Sequence, residues 1–227
     1  MKETPVIAID GPSGSGKGTV CRQLASALGW HLLDSGALYR LVAFGAGQAG
    51  AAPEDVAAHA AYARTMQVVF GSTPAGGESI LLAGQEVAPA IRTEEAGAAA
   101  SRVAAWPEVR AALVERQRAF ALPPGLVADG RDMGSVIFPD AGLKVFLTAS
   151  AEERAARRHK QLMEKGISAN LAALSREIAE RDRRDATRPV APLVATPDAI
   201  TIDSTRLPPG AVVEQVLASA RARFGIG

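Results

Sequence analysis

The 227-residue chain has a single cysteine, Cys21, lysine only at positions 2, 17, 144, 160 and 165, and 4% aromatic residues. One cysteine excludes an intramolecular disulfide framework and a cysteine-rich zinc site, and it fits a cytosolic protein. No apolar stretch approaches the roughly 20 residues of a membrane-spanning helix. The opening Met-Lys-Glu-Thr-Pro lacks the apolar h-region and small-residue cleavage site of a signal peptide, so a cytoplasmic protein without membrane association is expected. The net charge is +1, from 25 Lys plus Arg against 24 Asp plus Glu, and 48% of residues are hydrophobic. That balance excludes intrinsic disorder and a bulk cationic field for nucleic acid or anionic membrane. Any basic site must be local. Because lysine is scarce, the positive charge is mostly arginine, whose planar fork of donors suits phosphate and carboxylate; a GC-rich genome would give the same surplus together with the many alanines. Only the positions of the arginines decide between the two.

Apolar runs ending in a polar residue predict strands at Val6–Asp10, Trp30–Asp34, Leu126–Asp129, Leu143–Thr148 and Ala199–Asp203, as in a buried parallel sheet. Helical patterns lie between them. Ser150 with Glu153 makes a capping box opening a helix over Ala151–Lys165 that Gly166 closes, and Pro107 opens another running to about Ala121. This is a doubly wound α/β pattern. Gln67–Val87 departs from it: Val68-Val69-Phe70, a Gly-rich turn, Ile80-Leu81-Leu82 and Gly84 predict a small antiparallel hairpin sheet inserted into the framework.

Directly after the first strand comes Gly11-Pro12-Ser13-Gly14-Ser15-Gly16-Lys17-Gly18-Thr19, then a helix pattern bearing Val20, Leu24 and Leu28. The G-x-x-x-x-G-K spacing in a strand-loop-helix context is that of a phosphate-binding P-loop. Its glycines let consecutive backbone N–H groups converge on phosphate oxygens, the helix N-terminus adds partial positive charge, and Lys17 supplies a full one near the β- and γ-phosphates. The slot after the lysine holds Gly18, with the hydroxyl one residue later at Thr19. Direct Mg²⁺ ligation by that hydroxyl is therefore not expected; the metal would be held by nucleotide oxygens and water.

Leu171, Leu174 and Ile178 mark one helix face, and the same stripe continues through Arg181, Asp185 and Arg188 before Pro189 ends the helix. The seam turns from apolar to charged. Taken alone, Arg181-Asp182-Arg183-Arg184-Asp185 would be a solvated helix end with i,i+4 ion pairs, but beside a P-loop it offers the converging guanidinium groups of a phosphoryl-transfer site. A second cluster, Asp129-Gly130-Arg131-Asp132-Met133-Gly134, follows the third strand, at the sheet edge where open α/β folds bind ligands. A third is Asp34-Ser35-Gly36, opening a helix with Tyr39 and Arg40; by itself it reads as an N-cap.

In order, GPSGSGKGT, WHLLDSGALYR, IRTEE at Ile91–Glu95, DGRDMGSVIFPDA at Asp129–Ala141 and RDRRDATRPVAPL at Arg181–Leu193 closely resemble bacterial cytidylate kinase. The resemblance runs from about Val6 to Ser204 and is weakest over Ala46–Glu86. It implies a P-loop kinase of 1–227 as a single domain, a doubly wound five-stranded parallel sheet with an inserted small antiparallel β lobe and a helical lid. The core would be about 1–50, 105–150 and 190–227, the nucleotide-binding insert about 51–104 and the lid about 151–170. The implied reaction transfers the ATP γ-phosphoryl group to CMP or dCMP. Residue by residue, Ser35, Arg40, Arg131, Arg181 and Arg188 fall on positions that contact the acceptor or its phosphate, Ser101, Arg110 and Asp132 on those reading cytosine, and Asp185 on the one at the sugar. Arg92 is a weaker candidate for the same phosphate.

Gly11 to Thr19 would bind ATP with Mg²⁺, and Lys17, Arg131, Arg181 and Arg188 would neutralise the reacting phosphates. Around the helix end and loop of the lid, Arg154, Arg157, Arg158 and Gly166 would close over ATP, with Arg157 assigned to it; the alternative is a solvated helix in which Glu153 pairs with Arg157. Other readings are a P-loop kinase with a different acceptor, or a nucleotide-binding regulatory or RNA-binding protein, against which few aromatics and near-neutrality weigh. Nothing requires more than a monomer. His31, His59 and His159 show no metal spacing, Cys21 fits a buried small hydrophobe, and Trp30 and Trp106 fit packing roles.

Overall fold

Five parallel strands in the order β2-β6-β1-β7-β8 carry the N- and C-terminal parts of the chain in a computed structural model, which describes residues 4–72, 78–164, 166 and 168–226. In chain order the elements are β1 (Val6–Asp10), α1 (Lys17–Leu28), β2 (His31–Asp34), α2 (Ser35–Gln48), α3 (Val56–Thr65), β3 (Val68–Ser72), β4 (Glu78–Leu82), β5 (Gln85–Glu86), α4 (Ala88–Ile91) and α5 (Glu94–Val103). They continue with α6 (Pro107–Arg118), β6 (Leu126–Gly130), a π-helical turn at Met133–Ile137, β7 (Leu143–Thr148), α7 (Ala151–Glu164), α8 (Leu171–Thr187), β8 (Ile200–Asp203) and α9 (Pro209–Phe224). The chain forms two compact units, one made of the described residues up to Asp34 together with those from Gln117 on, the other Ser35–Arg116. Among the described residues no helix is long and apolar enough to cross a membrane.

In the first unit all five residues of β1 are buried, as a central parallel strand requires. Ile7 and Ile9 join Val20, Leu24, Val127, Val145, Val212 and Val216 in one core, so α1 and α9 cover one face of the sheet. By the two-residue alternation of a strand, Ala8 and Asp10 point to the other face. The five expected strands are all present, within one residue at each end. Ser150 caps α7 by accepting the Glu153 N–H at 3.2 Å. The reciprocal half of the capping box is missing, because the Ser150 N–H donates to Thr205 Oγ1 and the Glu153 carboxylate is engaged by Arg157. The expected end of α7 at Lys165 lies outside the described residues. Asn170 caps α8, and Leu171, expected on the apolar seam, is 47% exposed at its first position. α6 stops at Arg118 rather than Ala121, since the N–H groups of Phe120 and Ala121 turn to carbonyls three residues back just ahead of Pro123.

The second unit holds the expected small sheet, β3-β4-β5, antiparallel throughout. Ala83 and Gly84 both have positive φ and close β4 onto β5 as a two-residue hairpin. The Gly-rich turn expected between β3 and β4 lies outside the described residues. Thr93 caps α5, and Pro107 opens α6 as the sequence predicts for that helix.

At the strand starts of the first unit a column of glycines and aromatics locks sheet to helix. The indole of Trp30 meets the ring of Phe224 edge-on at 5.5 Å. A Cβ on Gly125 would come within 2.3 Å of the indole, and one on Gly142 within 2.4 Å of Phe224. Both tryptophans pack: Trp106 lies edge-on to His59 at 5.2 Å. Gly125→Ala and Gly142→Ala are each expected to lower the unfolding free energy by about 1–3 kcal/mol, the usual cost of overpacking, as measured by denaturant titration. An unchanged midpoint in both would show that the column is not tightly packed.

Candidate functional site

The phosphate loop exists in this shape because three of its glycines take conformations that a side chain would strain or block. Gly14 and Gly16 have φ of +78° and +91°, and a Cβ on Gly11 would fall 2.0 Å from the Leu147 carbonyl oxygen. The loop runs straight into α1, whose first-turn N–H groups face an incoming anion. Lys17, 5% exposed, curls back over the loop: its Nζ donates to the Pro12 carbonyl at 2.7 Å and to Ser15 Oγ at 3.4 Å. Burial lowers its pKa to about 7, and the Arg131 guanidinium adds to the fall, while Asp129, Cys21 and Asp10 oppose it. Cys21 is itself fully buried, its thiol held well above the usual range, as suits a packing residue.

Asp129, next to last in β6, has a carboxylate that burial raises to a pKa of about 6; Lys17 and Arg131 pull it down, Asp34 and Asp10 push it up. A Cβ on Gly18 would make ordinary contacts, 3.5 Å to Asp129 Oδ2 and 3.4 Å to the Arg22 guanidinium, so the space itself does not require glycine in place of the usual Ser or Thr. The donor set fits a hard cation held by phosphate oxygens and water, because a divalent ion beside Gly18 would offset the burial cost of an ionised Asp129.

The charged end of α8 meets the loop after β6 through two ion pairs. Arg131 Nε donates to Asp185 Oδ2 at 3.0 Å, and an Arg188 guanidinium nitrogen lies 3.5 Å from Asp132 Oδ1, both side chains of the latter pair about 95% buried. Arg188 caps α8, and its Nε donates to the Ala191 carbonyl. Arg181 is half-buried, one turn ahead of Asp185 on the same face. Of the residues singled out in the sequence, Lys17, Arg131, Asp132, Asp185 and Arg188 are therefore linked at the strand ends of the first unit.

α7 contributes a different network. Arg154, 4% exposed, donates to the carbonyls of Ala149 and Ser13, each at 3.0 Å, and makes a two-pronged pair with Asp182 at 3.0 and 2.5 Å. It ties the phosphate loop to α8, and Gly14 is bare where Arg154 Cβ would stand 3.1 Å from an added methyl. Arg157 pairs with Glu153 at 2.8 Å and donates to the hydroxyl and carbonyl of Ser204. Ser204 Oγ in turn lies 3.0 Å from the Ser15 carbonyl, so Arg157 borders the loop at Gly16 while keeping the ion pair of a solvated helix. Arg158 donates to Gln161. Arg154, expected to close over ATP, instead spends its donors on Ala149, Ser13 and Asp182, while Asp10, Asp182 and Ser204 carry contacts that were not expected; for Asp10 the signal was the polar end of an apolar strand, and for the other two there was none.

The second unit orders its own candidates. Arg40 on α2 donates to the carbonyls of Ile91 and Thr93 at 2.7 and 3.0 Å, joining α2 to α4 and the start of α5. Ser35 is buried at the first position of α2. Arg110, 5% exposed on α6, donates to the Ala104 carbonyl and sits 5.9 Å from the centre of the Tyr39 ring. Ser101 on α5 is 7% exposed, and its hydroxyl has no hydrogen-bond partner, an expensive state that a ligand atom would relieve. Arg92 pairs with Glu78 of β4, which occupies it within the small sheet.

Known proteins match this chain over nearly all of its length. A family profile described as cytidylate kinase covers residues 7–222. The chain is 58% identical over 219 residues to the cytidylate kinase of Azotobacter vinelandii, covering 96% of each chain. It is 57% identical over 217 residues to that of Nitrosococcus oceani, with 95% of this chain and 96% of the relative covered. To the cytidylate kinase of a Marinomonas species it is 54% identical over 226 residues, 100% of this chain and 99% of that one. A match of that depth, laid over a phosphate loop linked by charge to the arginines of two further motifs, has one reading: the chain belongs to the cytidylate kinase family.

Proposed function

We propose that the protein phosphorylates CMP and dCMP with ATP. The observation that carries the reading is the buried Lys17 ammonium over the phosphate loop, with the Arg131 guanidinium near enough to lower its pKa further, a concentration of positive charge that a polyanion would relieve. Family membership directs the choice of acceptor, and two buried polar groups, the Ser101 hydroxyl without a hydrogen-bond partner and the Arg110 guanidinium, support a nucleobase ligand, since cytosine offers O2 and N3 acceptors to a guanidinium. Asp132 is proposed at the cytosine amino group and Asp185 at the sugar.

In the reaction an oxygen of the CMP 5′-phosphate attacks the γ-phosphorus of ATP. A new P–O bond forms as the bond to the β-phosphate oxygen breaks, and ADP leaves with the electron pair. The attacking oxygen is ionised at neutral pH, so no general base is needed and catalysis reduces to alignment and charge neutralisation. Lys17 and the loop amides of Gly11 to Thr19 hold the ATP phosphates; Arg131, Arg181 and Arg188 hold the acceptor phosphate, with Ser35 and Arg40 as its further contacts. Asp185 and Asp132 fix the rotamers of Arg131 and Arg188 through the two ion pairs. Mg²⁺ bound between ATP oxygens and water, near Asp129, would supply the remaining neutralisation. Arg157, beside Gly16, is proposed to border ATP.

A coupled assay of ADP release with CMP, dCMP, UMP and AMP tests the reading: CMP and dCMP are expected to turn over in preference to the others, and equal or absent turnover with them would refute it. Arg110→Met is expected to raise the KM for CMP and erode that preference. Lys17→Ala and Arg181→Ala should each lower kcat by about 10²–10³-fold, the scale of losing one preorganised donor, with folding intact by circular dichroism; near-wild-type rates in either would contradict its role. The lowered pKa of Lys17 adds a linkage prediction. ATP phosphates favour the charged ammonium, so binding above pH 7 takes up a proton and affinity falls as pH rises from about 7. Calorimetry at pH 8 in buffers of different ionisation enthalpy should show uptake approaching one proton, abolished in Lys17→Arg; a buffer-independent enthalpy in the wild type would show the lysine already charged.

A further inference from the structure

Asp10 takes no part in the chemistry just described, yet it places a carboxylate, 6% exposed, at the end of a strand whose other residues are apolar. It lies on the face of β1 opposite the core formed with α1 and α9. There its Oδ1 accepts the Met133 N–H and its Oδ2 the Gly134 N–H, each at 2.8 Å. Both oxygens are thus committed to consecutive amides that open the π-helical turn Met133–Ile137, where first-turn N–H groups have no partner within the turn. Burial raises the Asp10 pKa to about 6 against the pull of these two bonds, so the group is costly where it stands. Only an ionised carboxylate offers two equivalent acceptors to two adjacent donors; an amide would meet one of them with a donor of its own.

The residues immediately before the clamped amides are Arg131 and Asp132, which carry both ion pairs to α8. Met133 is fully buried, and its side chain fills the space left by Gly130, where a Cβ would come within 2.7 Å of Met133 Cγ. Held by Asp10 through its amides and by Met133 through its side chain, the segment has one way to present its arginine and aspartate.

We infer that Asp10 is a positioning residue for acceptor binding: by clamping the Met133 and Gly134 amides it fixes Arg131 and Asp132 and, through them, Asp185 and Arg188 on α8. The role of those groups rests on the phosphoryl-transfer reading above. Asp10→Asn keeps the shape and removes one acceptor. It is expected to lower kcat/KM for CMP by about tenfold to a hundredfold, the scale of one buried amide left unpaired, chiefly by raising the KM for CMP. The KM for ATP should stay within about twofold, because the Lys17 contacts to Pro12 and Ser15 do not pass through the turn. CMP constants unchanged in the variant, or equal rises in both KM values, would overturn the inference, the second by showing a general structural role.

Should Asp10→Asn fail to fold, Gly134→Ala puts the question from the other side of the clamp, since its methyl would press on Lys144 at 3.1 Å and meet Asp10 Oδ2 at 3.4 Å. The same selective rise in the KM for CMP is expected, and its absence overturns the assignment. Amide exchange separates this outcome from failure of the kinase reading. The Met133 and Gly134 protons should exchange at least about tenfold more slowly in the wild type than in a folded clamp variant, whatever the substrate, and equal rates would refute the clamp itself.

Discussion

Like charges crowded into a buried sheet edge are the constraint on which the first unit depends. Burial and the nearby Arg131 charge lower the Lys17 pKa to about 7, and burial pushes Asp10 and Asp129 up to about 6. None of these groups is placed where folding alone would put it. The β1 strand tolerates them because its other residues are buried apolar ones and its sheet neighbours β6 and β7 pair along its length. The core formed by α1, α9 and the strands is thus the support for a site that opposes it, and an incoming polyphosphate relieves what the fold must otherwise bear.

The carboxylates around the arginines do two different things. Asp185 and Asp132 pair with Arg131 and Arg188, the guanidinium groups proposed to hold phosphate. With further bonds from Arg131 to the Gly130 carbonyl and from Arg188 to the Ala191 carbonyl, these pairs remove the freedom of both guanidinium groups to turn away. Arg154 is the contrasting case. Its donors go to Ala149, Ser13 and Asp182, and it acts as a brace between the phosphate loop and α8. Both kinds of arginine look alike in a charge count; only the identity of their partners separates them.

The sequence showed the five strands almost to the residue, because buried parallel strands leave continuous apolar runs that end where the polar crevice begins. The phosphate loop was equally plain, since its glycine positions answer to backbone conformations at Gly14 and Gly16 that few other residues adopt. The seam on α8 was legible in part: Leu174, Ile178 and Asp185 are buried as the helical stripe requires, whereas Leu171 stands at the first, exposed turn. What stayed hidden were contacts between distant segments. Arg154 reaching Ser13 across 141 residues and Asp10 reaching Gly134 across 124 have no periodicity or spacing to betray them. Ser101 and Arg110 were found only through resemblance, because a hydroxyl and a guanidinium on separate helices carry no joint pattern.

The composition poses the same problem at larger scale. An arginine surplus over five lysine positions can come from codon bias, and much of it here decorates solvated helix faces, as in the Arg184–Glu180 pair. Those surface pairs contribute little. The arginines at 131, 154 and 188 differ in being largely withdrawn from water and matched to individual carboxylates. A lysine could replace many of the first group at small cost, but not the second, since a point charge cannot hold Asp182 with two prongs or join a carboxylate and a backbone carbonyl in one planar fork, as Arg131 joins Asp185 and the Gly130 carbonyl. The single lysine kept at the loop is the complementary choice: an ammonium whose pKa of about 7 lets a bound phosphate draw it fully into the charged form.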